Sequence, residues 1–386
     1  MKTLLKFTKN VMTAFVFAGL AMSCSSGLQQ LNKGNFDEAI ENSVERLQQK
    51  PEHTKALSVL KEAYPLAVAD HKRAIRIYEN LQEPFRWERA LAEYQQLNRI
   101  YEMVSRSPVA MRAVGLPQNY AHEAEIARQL AADERYQAGI SALNHKENRL
   151  AAKDAVGQFQ RVNELIPNYK GANQKVEEAF QYATHRVLIE PIYDVFRLSQ
   201  NEYDVLQAAF NREIFRSKAP SPFVRYYTTN MIRQESLPQN DVVKFALVSL
   251  SSPSINVNKT VEHFTKQVKT GTKKLNDSTQ TDVFETVKGT ITTFQKSIVI
   301  NGTMEMRVLD YKSNNLITEE ARNETFTWND TWKTFEGDPR ALDGKTCPPR
   351  HASGSIEPTP YTLFSSLSNQ FANYYQERLK KAYRNM

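Results

Sequence analysis

The chain is poor in cysteine, with only Cys24 and Cys347 in 386 residues. A disulfide framework is therefore excluded as the source of its stability. Glycine and proline are also sparse, at 13 and 16 residues, which excludes a collagen-like or glycine-rich fibre. There is a single apolar run, residues 11–22, and it is too short to span a bilayer, which needs about 20 apolar residues in a helix. A polytopic membrane protein is excluded on that count. The spacings that carry catalysis are missing as well. Gly344-Lys345-Thr346 ends like a phosphate loop, but Pro339 stands where the loop needs a glycine, and proline has no N–H to offer a phosphate. His122-Glu123 opens like a zinc-protease helix, but Ile126 occupies the second ligand position. No Gly-x-Ser-x-Gly elbow occurs, and the histidines show no ligand spacing. The sequence thus leads us to expect a non-enzymatic protein with no cofactor and no metal. Nor is one sign of charge dominant. Lys and Arg number 50 against 43 Asp and Glu, and Lys2, Lys6 and Lys9 near the N-terminus supply three of the net +7. Nucleic acid is not implied as a partner.

What is present begins with a targeting segment. The three N-terminal lysines followed by the short apolar run read as a secretory signal that is removed on maturation. Ala21-Met22-Ser23-Cys24 then resembles the lipobox of bacterial lipoproteins, with the favoured Leu one place early at Leu20. The resemblance implies that residues 1–23 are cleaved and that Cys24 carries lipid. Ordinary cleavage after Ser23 also fits the small residues there. Ser25 rather than Asp follows Cys24, and residues 25–30 carry no acidic cluster. By resemblance to the sorting rules of lipoproteins, these two features imply the outer membrane and a periplasm-facing position. Cys347, in Lys345-Thr346-Cys347-Pro348-Pro349, is then a lone thiol.

Residues 24–185 read as a helical domain rich in Ala, Leu, Glu, Gln and Lys. Three segments share a pattern: Phe36-Asp37-Glu38-Ala39 running to Pro51, Trp87-Glu88-Arg89-Ala90 running to Pro108, and Lys153-Asp154-Ala155 running to Pro167. Each resembles the second helix of a tetratricopeptide repeat, where a small Ala permits close helix packing and Pro ends the unit. Their spacing exceeds the usual period of about 34 residues, so the array is degenerate, and a generic helical bundle is the alternative. The repeat resemblance implies a partner-binding face, for which Phe36, Trp87, Tyr94 and Phe159 are the candidate residues. At helical spacing, core is the competing assignment for all four.

After residue 185 the texture changes. Arg186–Ile192 reads as a strand ended by Pro191, Glu202–Phe215 as a helix, and Val242–Leu250 as a buried strand. Thr260–Lys269 is expected to be helical, with a polar loop at 270–280. Asn301-Gly302 is the expected hairpin turn between Val283–Ile300 and Thr303–Tyr311. Lys312–Asn315 is a further turn before Leu316–Trp328, giving an antiparallel β-meander. A long loop over 335–360 precedes an amphipathic helix over Thr362–Arg384. The expected fold is α+β, a helical-repeat array followed by an α/β domain over 186–386. This element order, with Gly289-Thr290-Ile291 and Val308-Leu309-Asp310, resembles the periplasmic domain of curli-export and penicillin-binding-protein activator lipoproteins. Together the resemblances imply a scaffold for envelope protein partners, anchored in the membrane through its N-terminal lipid. A ligand-binding module for peptide or glycan and a cell-wall enzyme of unrecognised type are the alternatives.

Overall fold

A computed structural model describes residues 27–234, 238–276 and 279–386. Cys24 and the leader lie outside the described residues. The chain forms two compact units, one ending at Ala183 and the other spanning Thr184–Met386. Helices dominate the first, and a mixed sheet with helices builds the second. No helix among the described residues is long and apolar enough to cross a membrane.

The first unit strings together α1 (Leu28–Asn32), α2 (Phe36–Gln49), α3 (Thr54–Asn80), α4 (Arg86–Ser105), α5 (Pro108–Val114), α6 (Ala121–Leu143), α7 (Arg149–Leu165) and α8 (Ala172–Ala183). Local signals set several ends. Ser107 Oγ accepts the Ala110 N–H at 3.3 Å, with Pro108 at the first helical position where its missing N–H costs nothing. Asn148 caps α7 by accepting the Leu150 N–H at 3.0 Å. Pro65 sits inside α3, which continues past it to Asn80. The helix contacts are built from small residues: Ala39, Ala56, Ala63, Ala90, Ala152 and Ala155 are fully buried. Two ionic clasps each tie three helices. Glu88 on α4 meets Arg135 on α6 at 2.5 Å and Arg161 on α7 at 3.2 Å. Burial alone would raise the Glu88 pKa, but the two guanidiniums hold it below the usual carboxylate range. The second clasp is centred on His71 of α3, between Asp37 of α2 and Glu93 of α4.

The second unit contains β1 (His185–Ile189), β2 (Tyr193–Asp194), α9 (Gln200–Arg216), β3 (Val224–Thr228), α10 (Thr229–Ile232), β4 (Asp241–Leu250), β5 (Ser254–Asn276), β6 (Thr279–Asp310), β7 (Leu316–Gly337) and α11 (Pro360–Ala382). β3, β1 and β4 are parallel neighbours, and β4 joins β6 antiparallel. β5 and β7 flank β6 on opposite sides, both antiparallel to it. Side chains alternate along a strand, so even positions of β6 from 298 to 308 face the helices. Ile298, Ile300, Met304, Met306 and Val308 are buried there, in one core with Phe210 of α9 and with Phe371 and Tyr375 of α11. Tyr375 Oη donates to the Met304 carbonyl at 2.5 Å. At the foot of the sheet, a buried cluster ties α11 to the strands, with His185 Nε2 and Tyr383 Oη on Asp241 Oδ2 at 2.8 and 2.9 Å.

The structure corrects four expectations. Thr260–Lys269 is strand, not helix. Val261, Phe264 and Val268 fall at i, i+3 and i+7, which mimics a helical stripe, but pairing with β6 from Lys269↔Phe284 to Thr260↔Thr293 overrides it. Of the expected loop at 270–280, residues 270–276 and 279–280 belong to β5 and β6 at the far end of the same ribbon. Asn301-Gly302 is not a turn but the middle of β6, where Gly302 pairs with both Leu250 and Glu324. A Cβ on Gly302 would stand 2.9 Å from the Ser249 carbonyl, so the glycine serves close strand approach. The 335–360 stretch is not all loop, because β7 runs to Gly337 and a 3-10 turn forms at Pro339–Leu342. From there the chain crosses the edge of β7, where Pro349 O accepts the Phe335 N–H at 3.1 Å. It continues as a strap to α11, pinned by Ser355 N–H on Asp330 at 2.6 Å and by Lys296 on Glu357.

Candidate functional site

Of the four aromatic residues expected on a partner face, Phe159 belongs to the core. It is fully buried, edge-on to Tyr136 at 5.6 Å, and Gly139 leaves the space that its ring fills. Phe36 is half-buried against the core cluster around Ile40 and Leu60. Trp87 packs on Leu91, Ala124 and Ala127. Tyr94 packs on Leu97 and Tyr120, and its hydroxyl donates to Glu79 at 3.2 Å. Burial and the Glu79 charge push the Tyr94 pKa up to about 12. The partly open three are spread over α2 and α4. Cys347 is exposed.

In the second unit, the crevice beyond the carboxyl ends of β1 and β3 gathers side chains of several elements. Such crevices in open sheets are where ligands bind. The chain leaves β1 through Glu190, whose N–H donates to Val243 O at 3.0 Å, and Pro191 ends the ladder because it has no N–H. The next segment is held from α9: Gln207 Oε1 accepts the Ile192 N–H at 3.0 Å, and Tyr203 Oη donates to the Ile192 carbonyl at 3.3 Å. Asp194 then folds the loop by accepting the N–H groups of Phe196 and Leu198 at 2.9 and 2.6 Å. The result is an exposed tip: Tyr193 is 70% exposed, Val195 54% and Phe196 45%.

Two cavities meet at Pro191. One, of about 300 Å³, lies on the sheet face away from α9 and α11 and is lined by Glu190, Tyr193, Lys244, Ala246, Glu305 and Arg307. Its charges are matched: Lys244 is 3.6 Å from Glu190, and Arg307 is 2.6 Å from Glu319 and 3.7 Å from Glu305. The other, of about 520 Å³, is lined by Tyr203, Gln207 and Asn211 of α9 and by Thr228, Thr229 and Asn230. These bring hydroxyls and amides, which suits hydrogen-bonded recognition of a neutral polar group. Among the described residues, no group of three or more His, Cys, Asp or Glu is placed to hold a metal.

No family model matches the chain. No curated protein matches it. Among solved structures, one described as a homolog of a neuraminyllactose-binding hemagglutinin, from Helicobacter pylori, aligns with 52% of this chain and 87% of its own at 7% identity and a TM-score of 0.22. A likeness that faint carries no argument about fold or ligand.

This crevice leaves no periodic signal in the sequence, because β2 is two residues long and β3 five. The readable sign was the cluster of Ile192, Tyr193, Val195 and Phe196 around Asp194, between Pro191 and the Ser199–Glu202 capping box.

Proposed function

We propose that this chain is a non-enzymatic lipoprotein of the outer membrane, facing the periplasm, that acts as a protein-interaction scaffold in envelope assembly, maintenance or secretion. Lipid on Cys24 anchors it, degenerate tetratricopeptide-like helix pairs offer one docking surface, and the sheet offers another. The observation that carries the reading is the edge of β5. That strand runs for 23 residues and, among the described residues, pairs with β6 alone. An open edge of this length is a template for an added strand from a partner. Its side chains restrict the choice of partner. Lys259, Lys266, Lys269, Lys273 and Lys274 stand against the single acid Glu262, while Ile255, Val257 and Val261 are 57, 54 and 44% exposed. The fitting partner is an extended acidic segment with alternating apolar residues. The test is recovery of complexes from detergent-solubilised envelopes with the full chain as bait. Val257→Glu with Val261→Glu abolishes recovery of the stoichiometric partner, and Cys24→Ala moves the protein out of the membrane fraction. Unchanged recovery would defeat the docking edge, and unchanged fractionation the anchor.

A second reading, a ligand-binding module for peptide or glycan, is supported by the two cavities that meet at Pro191.

A further inference from the structure

The face of the sheet turned away from α9 and α11 holds a surface that the edge-docking reading does not use. Of the complete rungs across β7, β6 and β5 on that face, three in succession are uncharged: Thr327–Val299–Ser254, Asn329–Ser297–Asn256 and Thr331–Gln295–Asn258. The face continues over β7 and β6 through Thr325–Asn301 and Asn323–Thr303. None of these positions carries a charge, and Val299 is the one apolar side chain. The positions on β5 and β7 are exposed, and those on the central β6 are exposed or half-buried. From Asn323 to Thr331 the surface extends about 27 Å at strand rise.

The neutrality belongs to the face and not to the strands. On the opposite face the alternating rungs read Ile255–Ile298–Trp328, Val257–Lys296–Asp330 and Lys259–Phe294–Trp332. Charges and aromatic rings, including a Phe294–Trp332 stack at 5.1 Å, are all on that side, partly under the strap. Strand propensity does not account for the composition of the open face either. Thr suits a strand, but Asn is depleted in strands, and this face places Asn at 256, 258, 301, 323 and 329. Within the face, among the described residues, one side-chain hydrogen bond forms, Asn323 Nδ2 to Thr303 Oγ1 at 3.4 Å. The remaining hydroxyls and amides keep their donors and acceptors for a ligand. Charge resumes at both ends, with Glu262 and Lys333 at one and Glu305, Arg307 and Glu319 at the other. At the latter end, on the same face, lies the 300 Å³ cavity with the exposed ring of Tyr193 beside it.

We propose that this face is a binding track for an uncharged polysaccharide chain, with Tyr193 as a stacking platform at its end. A flat array of paired donors and acceptors matches the hydroxyls and amides of a neutral glycan. An anionic polymer would find no cation to neutralise it along the track, and a protein surface would find no apolar centre to bury. The inference is independent of the β5 edge.

The test is calorimetric titration of the full chain in detergent micelles with chitohexaose, cellohexaose and, as the anionic comparison, a heparin hexasaccharide. The neutral oligosaccharides bind, with affinity unchanged within twofold between 50 and 500 mM NaCl, because no ion pair forms. Thr327→Glu with Asn329→Lys, two exposed positions, weakens binding at least tenfold, while circular dichroism and thermal unfolding stay as in the wild type. Tyr193→Ala weakens it several-fold. Val257→Glu with Val261→Glu, on the other face, leaves it unchanged even where protein docking is lost. Three results would overturn the proposal: no binding of either neutral hexasaccharide, tighter and salt-sensitive binding of heparin, or a track variant that folds and binds as the wild type does.

Discussion

His71 Nδ1 lies 2.5 Å from Glu93 Oε2, and its Nε2 lies 3.1 Å from both carboxylate oxygens of Asp37. One imidazolium thus bridges α2 and α4 from its place on α3. The Asp37 hydrogen bond is the main force raising the His71 pKa to about 9, against the opposing effect of burial and with Glu93 adding to the rise. A folded-state pKa above the unfolded value of about 6.5 stabilises fully below pH 6.5, and that contribution fades as pH climbs through 9. His71→Ala is expected to cost about 2 kcal/mol at pH 6 and much less at pH 9.5. Thermal unfolding of both proteins at the two pH values reads the difference. A gap that does not narrow with pH would show that the clasp is not ionic.

Gly139 and Gly157 make a matched pair within helices α6 and α7. Alanine gains up to about 1 kcal/mol over glycine in a helix interior. At Gly157 a Cβ meets nothing within 4 Å, so Gly157→Ala should stabilise by about 0.5–1 kcal/mol. At Gly139 a Cβ would stand 2.7 Å from the buried Phe159 ring, and overpacking of about 1–3 kcal/mol outweighs the propensity gain. Gly139→Ala should therefore destabilise. Denaturant midpoints with opposite signs are the expected result, and the same sign for both would refute the packing argument.

In the second unit, Phe371→Asp is expected to unfold the α/β core, because it sets an unpaired charge among Phe210, Phe245 and Tyr375. Gly302→Val acts by another route, forcing a branched side chain 2.9 Å from the Ser249 carbonyl where β4 hands over to β5 along β6. A loss of about 1–3 kcal/mol is expected, as for other overpacked sites. Near-UV circular dichroism during urea unfolding distinguishes the two, since Gly302→Val retains native signal in water and Phe371→Asp does not.

How much of this was legible depended on whether local and long-range forces agreed. The C-terminal helix was read within two residues of its bounds, because Thr359 caps it, Pro360 starts it, and Phe364, Leu367, Phe371 and Tyr375 keep the helical period. The turn at Lys312–Asn315 was legible for the same reason, with Asn314 at φ 57° as a left-handed turn position tolerates. Asn301-Gly302 carried an equally strong local turn signal and was overruled, because β6 is pinned on both sides by β7 and by β4 with β5 in succession. The 300 Å³ cavity at Pro191 is assembled from the segment after β1 and from β2, β4 and β6, whose paired residues lie 50 or more positions apart, and nothing local announces it. The uncharged face could have been read from Asn323 to Thr331, where every second residue is Asn or Thr, once the register was known.

The far end of the β5–β6 ribbon supplies the last prediction. β7 ends its pairing at Gly289↔Gly337, and Lys266 makes the ribbon's contact with Asp343 at 2.5 Å. From residue 267 outward, among the described residues, no third strand joins β5 and β6 over eight paired rungs, roughly 27 Å, and Arg340 reaches Glu285 at 3.6 Å near the base of that stretch. A two-stranded ribbon without a third strand or a helix beneath it is marginally stable. Its hydrogen bonds are solvated on both faces, and local opening there costs far less than global unfolding. Lys273 and Lys274 lie in that stretch and are exposed. The strap at 349–358, although irregular, is held by the Phe335, Asp330 and Lys296 contacts and should resist. Limited trypsin digestion is therefore expected to cut first after Lys273 or Lys274, before Lys345 or Arg350, with near-UV circular dichroism unchanged by that first cut. Mass spectrometry of the early fragments gives the order. Cleavage at Lys345 or Arg350 first would mean that the strap is the looser element. Protection of Lys273 and Lys274 that appears only when the envelope partner is added would place that partner on the ribbon, along the basic edge of β5.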